Sequence, residues 1–422
     1  MLYCDKSHYQ NFTPPFDIPE SWQWVRLGDY VINRDGERVP IASTIRSKQS
    51  NKIYDYYGAA GAIDKVDNYI FDERLLLIGE DGANLLSRTK DNAFFADGKY
   101  WVNNHAHVLD SSDKFLLEFV ALYINTIPLD DYITGSAQPK LSQDNLNNIH
   151  LPIPPIEEQR RILTMIESLM SIICEIRESK QQLSQSIALT KSKILDLAMQ
   201  GKLVPQDPAD EPAAEMLRRV NPKAKIITDN PQCRNLPLGW TLCQLRDLCS
   251  FLSRGKSPKY SETPNQYPVF AQKCNLKDGD ISLSQARFLD EITISKWPDK
   301  YRLKEGDVLV NSTGTGTVGR TRLFKTEYLG HYPFVVPDSH VSVVRSLDDI
   351  DSTYIFYCIY CQEGQRHFAE NLAGSTNQKE LYIDVIGDMN IKLPPTNEQK
   401  RIVAKVNELY TVLDEIEASL RS

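Results

Sequence analysis

The run Gly314-Thr-Gly316-Thr-Val-Gly319-Arg320-Thr321 satisfies G-x-G-x-x-G and nearly satisfies G-x-x-x-x-G-K-[ST], with Arg320 in the lysine's place. Both patterns hold nucleotide phosphates only when a helix follows, because its N-terminal N–H groups and dipole form the anion site. The residues from Thr321 to Gly330, with Pro333 soon after, read instead as strand and turn. A Gly-rich loop of this kind either sets backbone N–H groups against a nucleic-acid phosphate, with Arg320 and Arg322 beside it, or serves as a plain turn. Gly79-Glu-Asp-Gly-Ala-Asn84 holds the matching place in the first half of the chain. Glu80 and Asp81 invite a metal, but no third carboxylate or His stands at useful spacing, and a turn presenting Asn84 and Arg88 is favoured. His105 and His107 follow Asn103-Asn104, and His340 follows Asp338-Ser339 at the corresponding place. Asn, Ser and His suit the edges of nucleic-acid bases, although polar strand ends packed locally have the same composition.

Further polar and basic candidates for a nucleic-acid contact are Arg46, Lys48 and Lys52, then Gln138 and Lys140, in the first half. In the second half they are Arg254, Lys256, Lys273, Asn311, Thr313, Ser339, Asn377 and Lys379. Tyr54, Tyr56 and Tyr57 serve equally well as a grip or as core aromatics. Catalytic signatures are missing. We find no H-E-x-x-H, no G-x-S-x-G, no Asn-Pro-Pro-aromatic motif and no nuclease set completing Pro298-Asp299. No catalytic residue and no metal ligand is therefore assigned. Eight cysteines are scattered, with one CxxC at Cys358 and Cys361 and no second pair at zinc spacing, so reduced structural thiols are expected.

The net charge of −8 argues mildly against a nucleic-acid binder. Its distribution weakens that objection, since residues 246–325 carry about 14 Lys and Arg against about 9 Asp and Glu. No apolar run reaches the roughly 18 residues of a membrane span, and the first residues lack the apolar core of a signal peptide. A cytoplasmic protein is expected.

The elements that must position these residues occur twice. Ile18-Pro-Glu-Ser-Trp22, leading to Leu27, returns as Leu236-Pro-Leu-Gly-Trp240, leading to Leu245. Gly135-Ser136 with Lys140-Leu141 returns as Gly374-Ser375 with Lys379 and Leu381. Ile153-Pro-Pro-Ile-Glu-Glu158-Gln159 returns as Leu393-Pro-Pro-Thr-Asn-Glu398-Gln399, and all three matches keep their order. Each half reads as a compact α/β globule, over 1–152 and 236–392, rich in β-branched and aromatic runs broken by Gly, Asn and Asp.

After each Pro-Pro signal a helix is expected. The first, over 153–204, carries apolar residues at Ile162, Ile166, Leu169, Ile173, Ile176, Leu183, Ile187, Ile194 and Leu197, which is the 4-3 spacing of a coiled-coil seam. The second, over 393–422, repeats that spacing at Ile402, Val406, Leu409, Leu413, Ile416 and Leu420, with Asn397 as its expected N-cap. Between them, 205–235 is a Pro-rich linker with one short helix near Ala213–Arg219. Ordinary bundle packing would explain one seam; two of them, closing two duplicated globules, point to antiparallel pairing with each other.

Together, the doubled Pro-x-x-Trp entries, the Gly-Ser-x-x-x-Lys loops, the Pro-Pro-x-x-Glu-Gln helix starts and Gly201-Lys-Leu-Val-Pro205 resemble the specificity subunit of Type I restriction–modification enzymes. The resemblance covers nearly the whole chain. The second helix is shorter than that family's usual one. The resemblance implies two target-recognition domains separated by long antiparallel helices in a pseudo-twofold arrangement, each domain reading one half of a two-part site in double-stranded DNA. It also implies partners: methyltransferase subunits, two of them, that use S-adenosylmethionine, and a restriction–translocase subunit that uses ATP and Mg2+. This chain itself would bind no cofactor. Two other readings stay open: a duplicated nucleotide-binding enzyme using Gly314–Arg320, and a protein-interaction scaffold.

Overall fold

A computed structural model describes residues 13–135, 137–277, 279–314, 316–374 and 379–420, which divide into two compact units, 1–176 and 177–422. The expected boundaries treat the long helix as a separate segment, whereas the units divide within it.

The first unit contains β1 (Gln23–Arg26), β2 (Ile32–Asn33), β3 (Tyr54–Gly58), β4 (Gly61–Val66), β5 (Phe71–Asp72), β6 (Leu75–Gly79), β7 (Ala93–Ala96), β8 (Lys99–Val102), β9 (Ala106–Asp110) and β10 (His150–Ile153). They form sheets ordered β2-β9-β6-β7, β4-β3-β8-β5 and β1-β10. All five residues of β6 are buried, as a continuous apolar run at the centre of a sheet requires. Helix Phe115–Thr126 covers that sheet through Leu117, Val120 and Ile124.

The second unit repeats the plan with β11 (Ile226–Ile227), β12 (Thr241–Gln244), β13 (Cys249–Arg254), β14 (Pro268–Phe270), β15 (Arg287–Phe288), β16 (Val308–Asn311), β17 (Thr321–Leu323), β18 (Val336–Pro337), β19 (Val341–Ser346) and β20 (Asn390–Leu393). Its four-stranded sheet runs β13-β19-β16-β17, position for position the order of the first. In the second sheets, β3 with β8 and β14 with β18 are the matching parallel pairs. Antiparallel β1-β10 and β12-β20 also correspond. The duplication read from short motifs is a duplication of topology.

Those motifs turn out to be frame. Trp22 and Trp240 each donate their backbone N–H to the proline carbonyl three residues back. Leu27 and Leu245 are fully buried, bonded through their N–H to Ile149 and Met389. Gln159 and Gln399, both buried at the start of a helix, each donate 2.9 Å from Nε2 to the carbonyl of the first proline, Pro154 or Pro394. A buried amide without a partner costs about 1–3 kcal/mol, so this glutamine closes the strand-to-helix corner in both copies.

The long helix spans Ile156–Met199 with Glu157 and Glu158 in its dipole-favoured first turn. It stops in a Schellman motif: Gly201 takes φ +66°, and the N–H groups of Gly201 and Lys202 bond back to Ala198 and Leu197. Helix Ala213–Val220 follows. The last helix is Thr396–Ser419 with Pro395 at its N-cap. Asn397 is not the cap; it lies inside the first turn and donates 3.1 Å to Asp210.

Within the second unit the two helices pack antiparallel. Lys191 Nζ reaches Asp414 at 2.6 Å and Glu417 at 3.4 Å, near the far end of the last helix. Just past the long helix, Gln206 and Asp210 meet Glu398 and Arg401 at its near end. Ile194, Leu195, Ala198, Met199, Ile402 and Val406 share one core cluster. The seam is thus covered from Ile187 onward. Upstream, Leu169, Ile173, Ile176 and Leu183 stand exposed, and so do Met165, Met170 and Ile172. Cys358 and Cys361 are buried free thiols, and burial pushes both their pKa values up. Among the described residues, no helix is long and apolar enough to cross a membrane.

Candidate nucleic-acid interface

One end of each four-stranded sheet is built by the same backbone bonds. In the first unit Glu80 N–H donates to His105 O at 2.9 Å, and Leu141 N–H donates to Glu80 O at 2.8 Å. In the second, Ser312 N–H donates to His340 O and Leu381 N–H to Ser312 O, both at 2.8 Å. His105 and His340 each donate their backbone N–H, at 2.8 Å, to a side-chain oxygen, Asn103 Oδ1 and Asp338 Oδ1 respectively. Thr134 pairs with Lys140 as Ala373 pairs with Glu380. The strand end, the histidine hairpin and the Gly-Ser loop therefore converge in both copies. This frame also sets the register: Lys140 is equivalent to Glu380, not to Lys379. Ser136, Thr315 and the 375–378 segment, with the candidate Asn377, lie outside the described residues.

At the first tip Asn104 and His105 are exposed, as are Gln138 and Lys140 on the neighbouring loop. His105 Nδ1 lies 2.7 Å from Asp81 Oδ2, and Lys140 Nζ 3.2 Å from Glu80. Below them Asp35, Glu80 and His107 bring their ligand atoms within 4.8 Å of one another. The expectation that no third group stands near Glu80 is thus corrected, since the fold carries Asp35 and His107 to it. This cluster is already balanced: His107 Nδ1 sits 2.6 Å from Asp35, its Nε2 2.8 Å from Leu141 O, and Arg38 reaches Glu80 at 2.6 Å. Burial alone would raise the Asp35 carboxyl, yet His107, the Val108 N–H and Arg38 hold it below the ordinary value. Burial works against Glu80 likewise, and Arg38, His107 and Lys140 pull it down.

At the second tip His340 is exposed with Nδ1 2.8 Å from Thr313 Oγ1, and Gln272 donates 2.7 Å to Thr313 O and also to Oγ1. Arg254 bonds Glu380 and donates 3.0 Å to Ser339 O. Ser339 Oγ meets Ser257 Oγ at 3.4 Å. Lys273 and Lys379 are exposed, with no ion pair or side-chain hydrogen bond among the described residues. Lys256 lies 3.9 Å over the Tyr301 ring.

Other candidates are placed elsewhere or already engaged. Asn311 is fully buried, bonded to Asn275 and Gln272. Asn84 ties its own turn through Lys90, Asn92 and Thr89. Arg88, at φ +47°, caps the end of helix Phe115–Thr126 by donating to Asn125 O and Ile127 O. Arg320 donates 2.6 Å to Asn275 O, and Arg322 donates 2.8 Å to Leu276 O, its pKa lowered by burial. Arg46 and Lys52 converge on Asp64 at 2.8 and 2.6 Å, with Arg46 also 4.3 Å over the Tyr56 ring, while Lys48 is exposed beside them.

The Gly314–Arg320 run is followed by β17, not by a helix. Gly314 takes φ +102° where a Cβ would strike Thr317 Oγ1 and Gln272 Oε1, so its glycine serves the turn. The nucleotide-binding reading loses the helix N-terminus it requires. Sequence reasoning missed Gln272, Glu380 and Asp35, whose partners stand 41 to 126 positions away along the chain, and His107, grouped with His105 as a base-edge candidate, is instead fully buried.

The profile described as the Type I restriction modification DNA specificity domain matches this chain twice, over residues 19–185 and 237–422. The Escherichia coli Type I restriction enzyme EcoEI specificity subunit is 24% identical over 488 residues, covering 97% of this chain and 81% of that one. The crystal structure of the HsdS subunit from Thermoanaerobacter tengcongensis superimposes with a TM-score of 0.55 at 18% identity, over 96% of this chain and 95% of the other. A chain from a study titled for the complex assembly and conformational transition of the type I R-M system gives 0.57 at 20%, covering 96% of each.

Proposed function

The chain belongs to the Type I restriction modification DNA specificity family, and we propose that it reads a two-part DNA target, one half-site per globule, for partner subunits that perform the chemistry. It is the non-catalytic specificity subunit. One observation carries the two-part reading: a single backbone frame is built twice, and each copy presents a different polar set. Asn104, His105 and Lys140 stand over Glu80 and Asp81 at one tip; Thr313, Ser339 and His340 stand beside Arg254 and Glu380 at the other. Equivalent frames with unequal side chains suit an asymmetric target, because base edges are told apart by donor and acceptor pattern.

In this reading two methyltransferase subunits using S-adenosylmethionine work with the chain, and a restriction–translocase subunit uses ATP and Mg2+. The uncovered first half of the long helix offers these partners an apolar face. The chain itself holds no cofactor.

Methylation mapping in a host that supplies the partner subunits tests the proposal. Replacing residues 236–392 by the equivalent part of a relative with another target should change one half-site and leave the other intact. A simultaneous change in both would refute independent reading.

A further inference from the structure

Resting on the DNA-recognition reading, the geometry points to a difference between the two equivalent histidines: we propose that His105 and His340 each read one base pair, His105 as a hydrogen-bond acceptor and His340 as a donor. A neutral imidazole carries its hydrogen on one nitrogen, and the partner of Nδ1 decides which. His105 Nδ1 lies 2.7 Å from a carboxylate oxygen of Asp81. A carboxylate only accepts, so Nδ1 holds the hydrogen and the outward Nε2 offers a lone pair.

His340 faces a hydroxyl instead, Thr313 Oγ1 at 2.8 Å. The Gln272 amide donates 2.7 Å to the Thr313 carbonyl, which fixes which end of that amide is nitrogen, and its other N–H enters Oγ1. Thr313 Oγ1 accepts from Gln272, and among the described residues His340 Nδ1 is the one acceptor within reach of its single hydrogen, so we assign that hydrogen to Nδ1. The hydrogen of the His340 ring then sits on Nε2, pointing outward as a donor. Neither Nε2 has a partner among the described residues, and both rings are exposed, His105 with 47% of its side-chain surface.

In the major groove an acceptor meets the amino group of adenine or cytosine. A donor meets purine N7, guanine O6 or thymine O4. The two half-sites should thus depend on opposite groups at the base pair each ring touches. The identity of this switch lies in the neighbours, Asp81 in one copy and Thr313 with Gln272 in the other, not in the histidines themselves.

The test uses the chain assembled with its methyltransferase partners, at pH 8.5, on duplexes carrying the mapped target. Single bases are replaced by analogues lacking one group: nebularine for adenine, pyrimidin-2-one for cytosine, 7-deazapurines for lost N7. Deleting one amino group in the half-site of the first domain should weaken binding about tenfold. Deleting one acceptor in the other half-site should do the same. His105→Ala and His340→Ala should each abolish only the matching sensitivity. Asp81→Asn, whose amide can donate to Nδ1 and so shift the ring hydrogen to Nε2, should abolish the amino-group sensitivity while leaving the second half-site unchanged. The analogue scan on the unaltered chain needs no variant to fold. Sensitivity of the same kind at both half-sites, or sensitivities that persist in both alanine variants, would overturn the inference and leave DNA recognition standing. Loss of all sequence preference in the unaltered complex would overturn the recognition reading itself.

Discussion

Lys273 and Lys379 differ from the arginines around them in having nothing to hold. Arg254, Arg320 and Arg322 spend donors on Glu380 or on backbone carbonyls, whereas the two lysines are exposed without a partner among the described residues. On the proposed reading, each exposed ammonium is placed to neutralise a phosphate. Lys273→Ala and Lys379→Ala should each weaken target and non-target duplexes alike and reduce the salt slope of binding by about one. A salt series on the assembled complex measures this, and a loss confined to one sequence would make the lysine a base reader instead. At this scale the sequence is informative where a residue presents its own exposed atoms, as His105 and His340 do. It is silent where a role depends on a partner far along the chain. Gln272 reaches Thr313 across 41 positions, and Asp35 reaches His107 across 72, and no local pattern marks either pair. Arg88 shows the reverse case: a cation in a polar turn that the fold uses as a helix cap.

The helical seams were legible as seams because a 4-3 spacing fixes which side of a helix is apolar. That spacing does not say how much of the side is covered. Ile402 and Val406 are fully buried against the end of the long helix, while Ile173 is 47% exposed in its upstream half. Ile402→Ala should therefore cost the second unit about 2–5 kcal/mol, the usual range for emptying a core isoleucine site. Ile173→Ala should stay within about 0.5 kcal/mol, as exposed substitutions do. Chemical denaturation of the chain without partners distinguishes the two; equal losses would mean that the upstream seam is already packed. The first turn of the last helix misled the reading for a local reason. Pro395 already occupies the position before the helix, which moves Asn397 inward, where Asp210 takes its amide.

Across the whole molecule, what repeats in the sequence is frame, and what does not repeat is the polar surface the frame presents. Trp, Leu and Pro-Pro-x-x-Glu-Gln signatures recur because the same corners must close in each copy. The tips diverge even at equivalent positions, with Lys140 in one copy and Glu380 in the other. The same inequality holds for charge. Residues 1–176 carry 16 Lys and Arg against 25 Asp and Glu, and residues 177–422 carry 32 against 31. The chain total of −8 conceals an acidic first unit and a nearly neutral second one. A bulk charge therefore says little about a chain whose two units differ this much.

From Leu169 to Ser186 every side chain of the long helix is exposed. The backbone bonds of that stretch have only one another for support, whereas most helical stability in a protein comes from the packing of an apolar face. Opening there requires no core to be broken, so it occurs far below the free energy of global unfolding. In deuterated solvent, amides from 173 to 186 should therefore take up label orders of magnitude sooner than those from 402 to 409, although both belong to uninterrupted helices. A methyltransferase partner closing over the apolar face would slow that uptake. The rate at which this one segment loses its protons would then report assembly directly, with no DNA present.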